Sequence, residues 1–187
     1  MDATTDATDW ATAVRGNGES FGLIFDRHRD RVLRHSLRLV PTWHDAEEVV
    51  AVTFLEAWRK RDSVRFVDGS LLPWLLLTAS YSARNVSRSS RRYRDLLAKV
   101  PPVETVAGPD ELVDDGEAVQ ALRHLTAQHR DVVTLCVLEG LTEAEAADVL
   151  RLPVGTVKSR LHRAKKALAK LLDKPALTAE LEMSTQL

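Results

Sequence analysis

The 187-residue chain is 44% apolar and 5% aromatic with a formal net charge of -1, the composition of one ordinary or two small globular domains. It lacks the roughly 20-residue apolar run of a membrane-spanning helix, and its polar start, Met1 to Asp9, lacks the basic-then-apolar order of a signal peptide. A cytoplasmic, all-α protein without membrane insertion is expected, because Leu, Val and Ala suit small helical cores better than a large sheet.

Residues 1–17 are expected to form a flexible N-terminus, and 18–98 a first helical domain. Phe21, Phe25, His28, Val32 and Leu39 recur at helical spacing up to a break at Pro41-Thr42. Ala46, Val49, Val50, Phe54, Ala57 and Trp58 then mark a second helix with one apolar face. Asp45, Glu47, Glu48, Glu56 and Arg59 fall largely on its other faces. Asp68-Gly69-Ser70 signals a turn, and Pro73 suits the first turn of a third helix beginning near Trp74. That helix starts apolar and turns basic through Arg84, Asn85, Arg88, Arg91 and Arg92.

Pro101-Pro102, Gly108-Pro109 and the acids Glu104, Asp110, Glu111, Asp114, Asp115 and Glu117 predict an acidic, extended linker over 99–116. A second domain over 117–173 reads as four short helices. Ala118, Leu122 and Leu125 give the first, and Thr126 caps a second that runs through Glu139 to a left-handed Gly140. Cys136, the lone cysteine, lies in an apolar stretch and reads as a small core residue. Thr142 and Glu145 have capping-box spacing at the start of a helix ending at Leu150.

A turn through Arg151-Leu152-Pro153 opens the fourth helix. Val154, Val157, Leu161, Ala164, Leu168 and Leu171 form its core stripe, so Lys158, Ser159, His162, Arg163 and Lys166 point outwards. A short helix, a tight turn and a longer basic helix make a helix-turn-helix, whose second helix enters the DNA major groove. Residues 174–187 are a short tail in which Leu177, Leu181 and Met183 offer a weak docking stripe.

The small net charge hides segregation. Ten bases face three acids between Ala57 and Lys99, and eight face one between Arg151 and Lys174. Two basic modules on helical patterns favour a polyanionic partner. His124 and His129, five apart, lack the spacing of paired metal ligands on one helix face, and neither a Gly-rich phosphate loop nor a nucleophile–base set is present. No metal, cofactor or enzymatic activity is expected. Trp10, Trp43, Trp58 and Trp74 read as core or partner-facing anchors. The residue pattern alone leaves open a helix-turn-helix regulator that works without polymerase, or a nucleic-acid enzyme with a DNA-binding appendage.

Leu141-Thr142-Glu143-Ala144-Glu145-Ala146-Ala147-Asp148-Val149-Leu150, followed by Pro153-Val154-Gly155-Thr156-Val157-Lys158-Ser159-Arg160-Leu161, resembles region four of the extracytoplasmic-function sigma factors. Asp45-Ala46-Glu47-Glu48-Val49-Val50 with Thr53-Phe54-Leu55-Glu56-Ala57-Trp58-Arg59, then Pro73-Trp74-Leu75-Leu76, resembles their region two. The resemblance implies a sigma factor that binds core RNA polymerase and promoter DNA and is a candidate for control by an anti-sigma factor. It assigns Asp45, Glu47, Glu48, Thr53, Glu56 and Arg59 to the polymerase clamp. Arg65, Phe66, Ser70, Tyr81, Arg84, Asn85 and Arg88 fall to the melted minus-ten element. Thr156, Lys158, Ser159, Arg160, His162, Arg163 and Lys165 fall to the minus-thirty-five element. The chain departs from the family pattern at Ala51 and Val52, where Gln and an acid are usual, at Tyr81, where Asn is frequent, and at Arg151, where Gly is common.

Overall fold

The computed structural model describes residues 6–97 and 116–172, which are all-α: eight α-helices, one π-helical turn and no strand among the described residues. The chain divides into two compact units, Met1–Asp114 and Asp115–Leu187. The expected acidic connector lies almost wholly outside the described residues, as does the tail from 174 onwards.

The first unit packs α2 (Gly18–Leu37), α3 (Trp43–Arg59) and α4 (Leu72–Leu97) into a bundle. Helices α2 and α3 start where a side chain satisfies free backbone donors. The Asn17 side chain accepts from Ser20 N–H at 3.1 Å, and Thr42 Oγ1 accepts from Asp45 N–H at 3.1 Å. Pro73 sits in the first turn of α4, where its missing N–H costs no helical bond. Ile24 and Val32 of α2, Ala46 and Val49 of α3, and Leu75, Leu76 and Ala79 of α4 have no exposed surface and form the centre of the core. At one end Phe21 meets Phe54 and Trp58 edge-on, with ring centroids 6.4 and 5.3 Å apart.

The flexible N-terminus expected over 1–17 is corrected by a further helix, α1 (Asp6–Val14), with Trp10 and Ala13 in the core. Its polar residues hide the signal, because Asp6 and Asp9 are themselves buried. Arg27 of α2 pairs with Asp6 and, at 2.7 Å, with Asp9. Asp6 Oδ2 also meets His28 Nε2 at 2.6 Å and accepts Leu71 N–H at 2.6 Å and the Ser70 hydroxyl at 3.3 Å. Burial opposes ionisation of Asp6, but the hydrogen bonds from His28, Leu71 N–H and Arg27 outweigh it and hold the carboxyl well below the usual carboxylate range.

The second unit contains α5 (Glu117–His124), α6 (Ala127–Val133), α7 (Glu143–Leu150) and α8 (Val154–Leu172). Thr126 Oγ1 accepts His129 N–H at 3.4 Å at the start of α6. Arg130 reaches back to the C-terminal end of α5, donating to the carbonyls of Leu122, Arg123 and Leu125 at 3.0, 2.7 and 3.1 Å. Val132, Val133, Leu135, Ala146, Val157 and Ala164 form its core.

The single helix expected from Thr126 to Glu139 changes pitch. After α6 the chain makes a π-helical turn over Thr134–Leu138, closed by Glu139 N–H to Thr134 O at 3.0 Å. Within the turn the side chains rotate off the core stripe. Val137 is therefore exposed, and Cys136 is half-buried rather than a core residue. Burial, and after it the Glu143 carboxylate, pushes the Cys136 thiol pKa up, which keeps it protonated.

Replacing Asp6 by Ala strips buried donors of their acceptor and is expected to cost the first unit about 3 kcal/mol. All four tryptophans lie in this unit, so denaturation followed by tryptophan fluorescence reads the loss. Because the folded pKa of Asp6 lies below the unfolded value, its contribution is complete above about pH 4 and drains away as pH falls further. The wild-type stability curve should be steeper below that pH than the Asp6→Ala curve.

Candidate nucleic-acid interface

The helix-turn-helix of the second unit is built from local rules. Gly140 closes the preceding segment in a left-handed conformation, with φ of 73°. Thr142 and Glu145 then form a reciprocal capping box: Thr142 Oγ1 accepts Glu145 N–H at 3.2 Å, and Glu145 Oε2 accepts Thr142 N–H at 2.7 Å. At the other end of α7, Leu152 N–H donates to Ala147 O at 3.0 Å and Arg151 N–H to Asp148 O at 3.4 Å. This pair is a Schellman closure, and it sets Arg151 at φ 56°, ψ 47°. A left-handed non-glycine residue costs on the order of 1 kcal/mol. The Pro153 carbonyl accepts from Thr156 and Val157 at 2.9 and 3.2 Å, starting α8 at once.

On α8, Val157, Leu161 and Ala164 are buried and Leu168 and Leu171 half-buried, as the spacing predicts. Val154 is a correction: the first helical residue protrudes from the packed face and is 47% exposed. Lys158, Ser159, His162, Arg163, Lys165 and Lys166 are exposed, while Thr156 and Arg160 are half-buried at the edge of this face. The helix contains no acid, and its N-terminal end adds the positive pole of the peptide dipoles. Ser159 Oγ donates to Thr156 O at 3.0 Å, so its hydroxyl must leave its own backbone to donate to a base.

In the first unit α4 presents a polar face that carries Arg88. Tyr81, Asn85 and Arg88 are exposed one turn apart, and the half-buried Arg84 lies over the Tyr81 ring at 4.4 Å with its Nε donating to Ser80 O at 3.1 Å. The loop between α3 and α4 carries Arg65, Phe66 and Ser70, all half-buried. Its turn places Asp68 and Gly69 at φ of 48° and 76°, closed by two backbone bonds between Val67 and Ser70.

The α3 surface needs two corrections. Asp45 is buried and accepts the Ser90 hydroxyl of α4 at 2.6 Å, and Thr53 is fully buried with its hydroxyl on Val49 O at 2.7 Å. Asp45 thus ties α3 to α4, the Thr53 hydroxyl is satisfied within α3 itself, and neither presents its side chain to a partner. Glu47, Glu48 and Arg59 are exposed, and Glu56 is bound by Lys60 at 2.9 Å and Arg59 at 3.3 Å. The hydrogen bond from Lys60 lowers the Glu56 pKa.

Beside these charges runs an apolar groove of about 370 Å³ between α2 and α3, lined by Phe21, Phe25, Ala51, Phe54, Leu55 and Trp58. Sequence reasoning missed it. Its signals were Leu55, which falls off the buried stripe and is 56% exposed, and Ala51 at a normally polar position.

Residues 24–93 match the family Sigma-70 region 2, and residues 116–168 match Sigma-70, region 4. The chain is 32% identical to the ECF RNA polymerase sigma factor SigL of Mycobacterium tuberculosis, over 83% of this chain and 90% of that protein. It is 27% identical to SigW of Bacillus subtilis, over 84% and 91% of the two chains. Among solved structures it is similar to CnrH in complex with the cytosolic domain of CnrY, with a TM-score of 0.62 and 28% identity over 90% of this chain and 97% of that one.

Thr142→Ala removes one half of the capping box and is expected to destabilise the second unit by about 1 kcal/mol. Because this unit has no tryptophan, the loss should appear in the unfolding curve read by helical circular dichroism and leave the fluorescence curve in place.

Proposed function

The chain belongs to the extracytoplasmic-function sigma factors, which direct promoter-specific transcription, and from that premise we propose how its residues divide the work. Polymerase docks on the first unit along α3. Glu47, Glu48, Glu56 and Arg59 supply the charged rim, and the adjoining apolar groove supplies the buried centre that charges alone cannot provide. Ala51 and Val52 suit this division, since Ala51 lines the groove. Asp45 acts by holding α3 against α4, and Thr53 is a buried residue bonded within α3.

The second unit reads the minus-thirty-five duplex. Lys158, Ser159 and His162 face base edges, Thr156 stands near the helix start, and Arg160, Arg163 and Lys165 lie nearer phosphates. In the first unit the loop with Arg65, Phe66 and Ser70 receives a base extruded from the minus-ten element. Flipping costs a few kcal/mol, which pocket contacts and backbone contacts from Tyr81, Arg84, Asn85 and Arg88 offset.

Bond-making chemistry belongs to the polymerase, so this chain acts as a non-enzymatic subunit where polymerase and chromosome meet, in the cytoplasm. No helix among the described residues is long and apolar enough to cross a membrane. The groove also suits an anti-sigma partner, as CnrH is found bound to CnrY; such a partner would compete with polymerase for α3.

The observation that carries this reading is the acid-free outer face of α8 behind a fully capped helix-turn-helix, joined in one chain to the bundle bearing the groove. The purified chain added to sigma-free core polymerase should yield promoter-specific transcripts. Tight duplex binding without any association with core would overturn the reading. On a cognate promoter, Arg163→Ala should weaken binding across all sequences and reduce the salt slope by about 1, whereas Lys158→Ala should cost about 1–3 kcal/mol and relax preference at one upstream position.

A further inference from the structure

The N-terminal helix α1 touches the α3–α4 loop at both ends, and it does so through polar bonds. At the loop's start, Trp10 Nε1–H donates to Arg61 O at 3.2 Å. At its end, Ala7 N–H donates to Gly69 O at 3.3 Å, and Asp6 Oδ2 accepts both Leu71 N–H at 2.6 Å and the Ser70 hydroxyl at 3.3 Å. Asp6 and Trp10, four residues apart, lie on one face of α1, and Ala7 contributes its backbone N–H at the start of the helix. Arg65 and Phe66 lie between the two anchors.

The bracing helix is fixed in turn to the bundle. Arg27 and His28, one helical step apart on α2, grip Asp6, and Arg27 also grips Asp9. Trp10 packs on Phe21 of α2 with ring centroids 5.9 Å apart. The loop's position is thus referred to α2 through α1, across contacts spanning 51 to 65 residues of sequence. Apolar burial alone would explain Trp10 and Ala13; it does not explain why the polar groups of α1 end on loop backbone.

We infer that α1 is a positioning element for the minus-ten loop, with Asp6 and Trp10 holding its two ends at the separation that lets the intervening residues accept one extruded base. This rests on the role proposed above for the loop. A pocket that discriminates among bases must keep its shape before the base arrives, and bonds at both ends supply that preorganisation where a free loop would lose it to conformational entropy. Neither residue touches DNA in this arrangement.

The test uses holoenzyme assembled from the full chain and core polymerase, with a promoter pool randomised across both elements. Promoters recovered in competitor-resistant open complexes are sequenced for wild type, Trp10→Phe, Asp6→Asn and Phe66→Ala. Trp10→Phe keeps an aromatic ring against Phe21 while it removes the N–H donor and trims the buried indole, so core affinity and the upstream motif serve as the control for a general loss of structure. For Trp10→Phe and Asp6→Asn, the preference at one downstream position is expected to fall about three- to tenfold, the worth of one hydrogen bond. Core affinity and the upstream motif should stay as in wild type.

The inference is overturned if downstream preference is unchanged in both variants, or if it falls only in step with core affinity and the upstream motif, as a general loss of structure requires. Phe66→Ala separates the two levels. If it abolishes the downstream preference while the α1 variants keep it, the brace is wrong and the loop's role stands. If Phe66→Ala also leaves the preference intact, the loop is not the reader and both readings fall.

Discussion

A protein assembled only from short helices has one recurring obligation: every helix end exposes backbone donors or acceptors that the helix cannot satisfy internally. Here that obligation shapes both units. Asn17, Thr42, Thr126 and Thr142 meet it locally, each from the residue just before its helix. Asp6 and Arg130 meet it from a distance: Asp6 accepts Leu71 N–H at the start of α4, and Arg130 takes three carbonyls at the end of α5. The local caps decide where helices begin; the distant ones decide which helices lie together. The helix-turn-helix is the most local case, since its capping box and Schellman turn lie within eleven residues, Thr142 to Leu152.

This difference in range explains what could be read in advance. Thr142, Glu145, Gly140, Asp68-Gly69 and Pro73 announce their conformations through near neighbours, and the structure places caps, left-handed turns and a helix start at those points. The stripes through α2, α3 and α8 were legible apart from Trp58 and Val154 at their ends, which are exposed, because helical periodicity is itself a local pattern. The missed polar contacts of the first unit depend on partners far along the chain. Asp6 and Asp9 look like solvent-facing acids until Arg27 and His28 are brought against them. Asp45 looks like part of an acidic docking face until Ser90, 45 residues away, is seen to bind it. A buried polar residue advertises nothing in sequence when its partner lies on another helix.

The same point sharpens the view of charge. Segregation of basic residues pointed to the modules proposed to face DNA, because α8 carries its exposed cations with no acid to pair them within the helix. On α3 charge was a poorer guide. Of the four acids there, Asp45 is buried, Glu56 is held by Lys60 and Arg59, and only Glu47 and Glu48 stand exposed. The apolar groove beside them, absent from any count of charges, is what the docking role proposed for that face rests on.

The π-helical turn at Thr134–Leu138 has a consequence for comparing this chain with its relatives. Such a turn holds one residue more than the α-helix it interrupts, so a relative can lack that residue and keep the same flanking helices. An alignment that carries straight through this segment would then pair inward-facing positions with outward-facing ones. Cys136 and Val137 are the positions at risk, and a gap of one placed within the turn, rather than in the loop at Gly140, restores the correspondence between faces on either side.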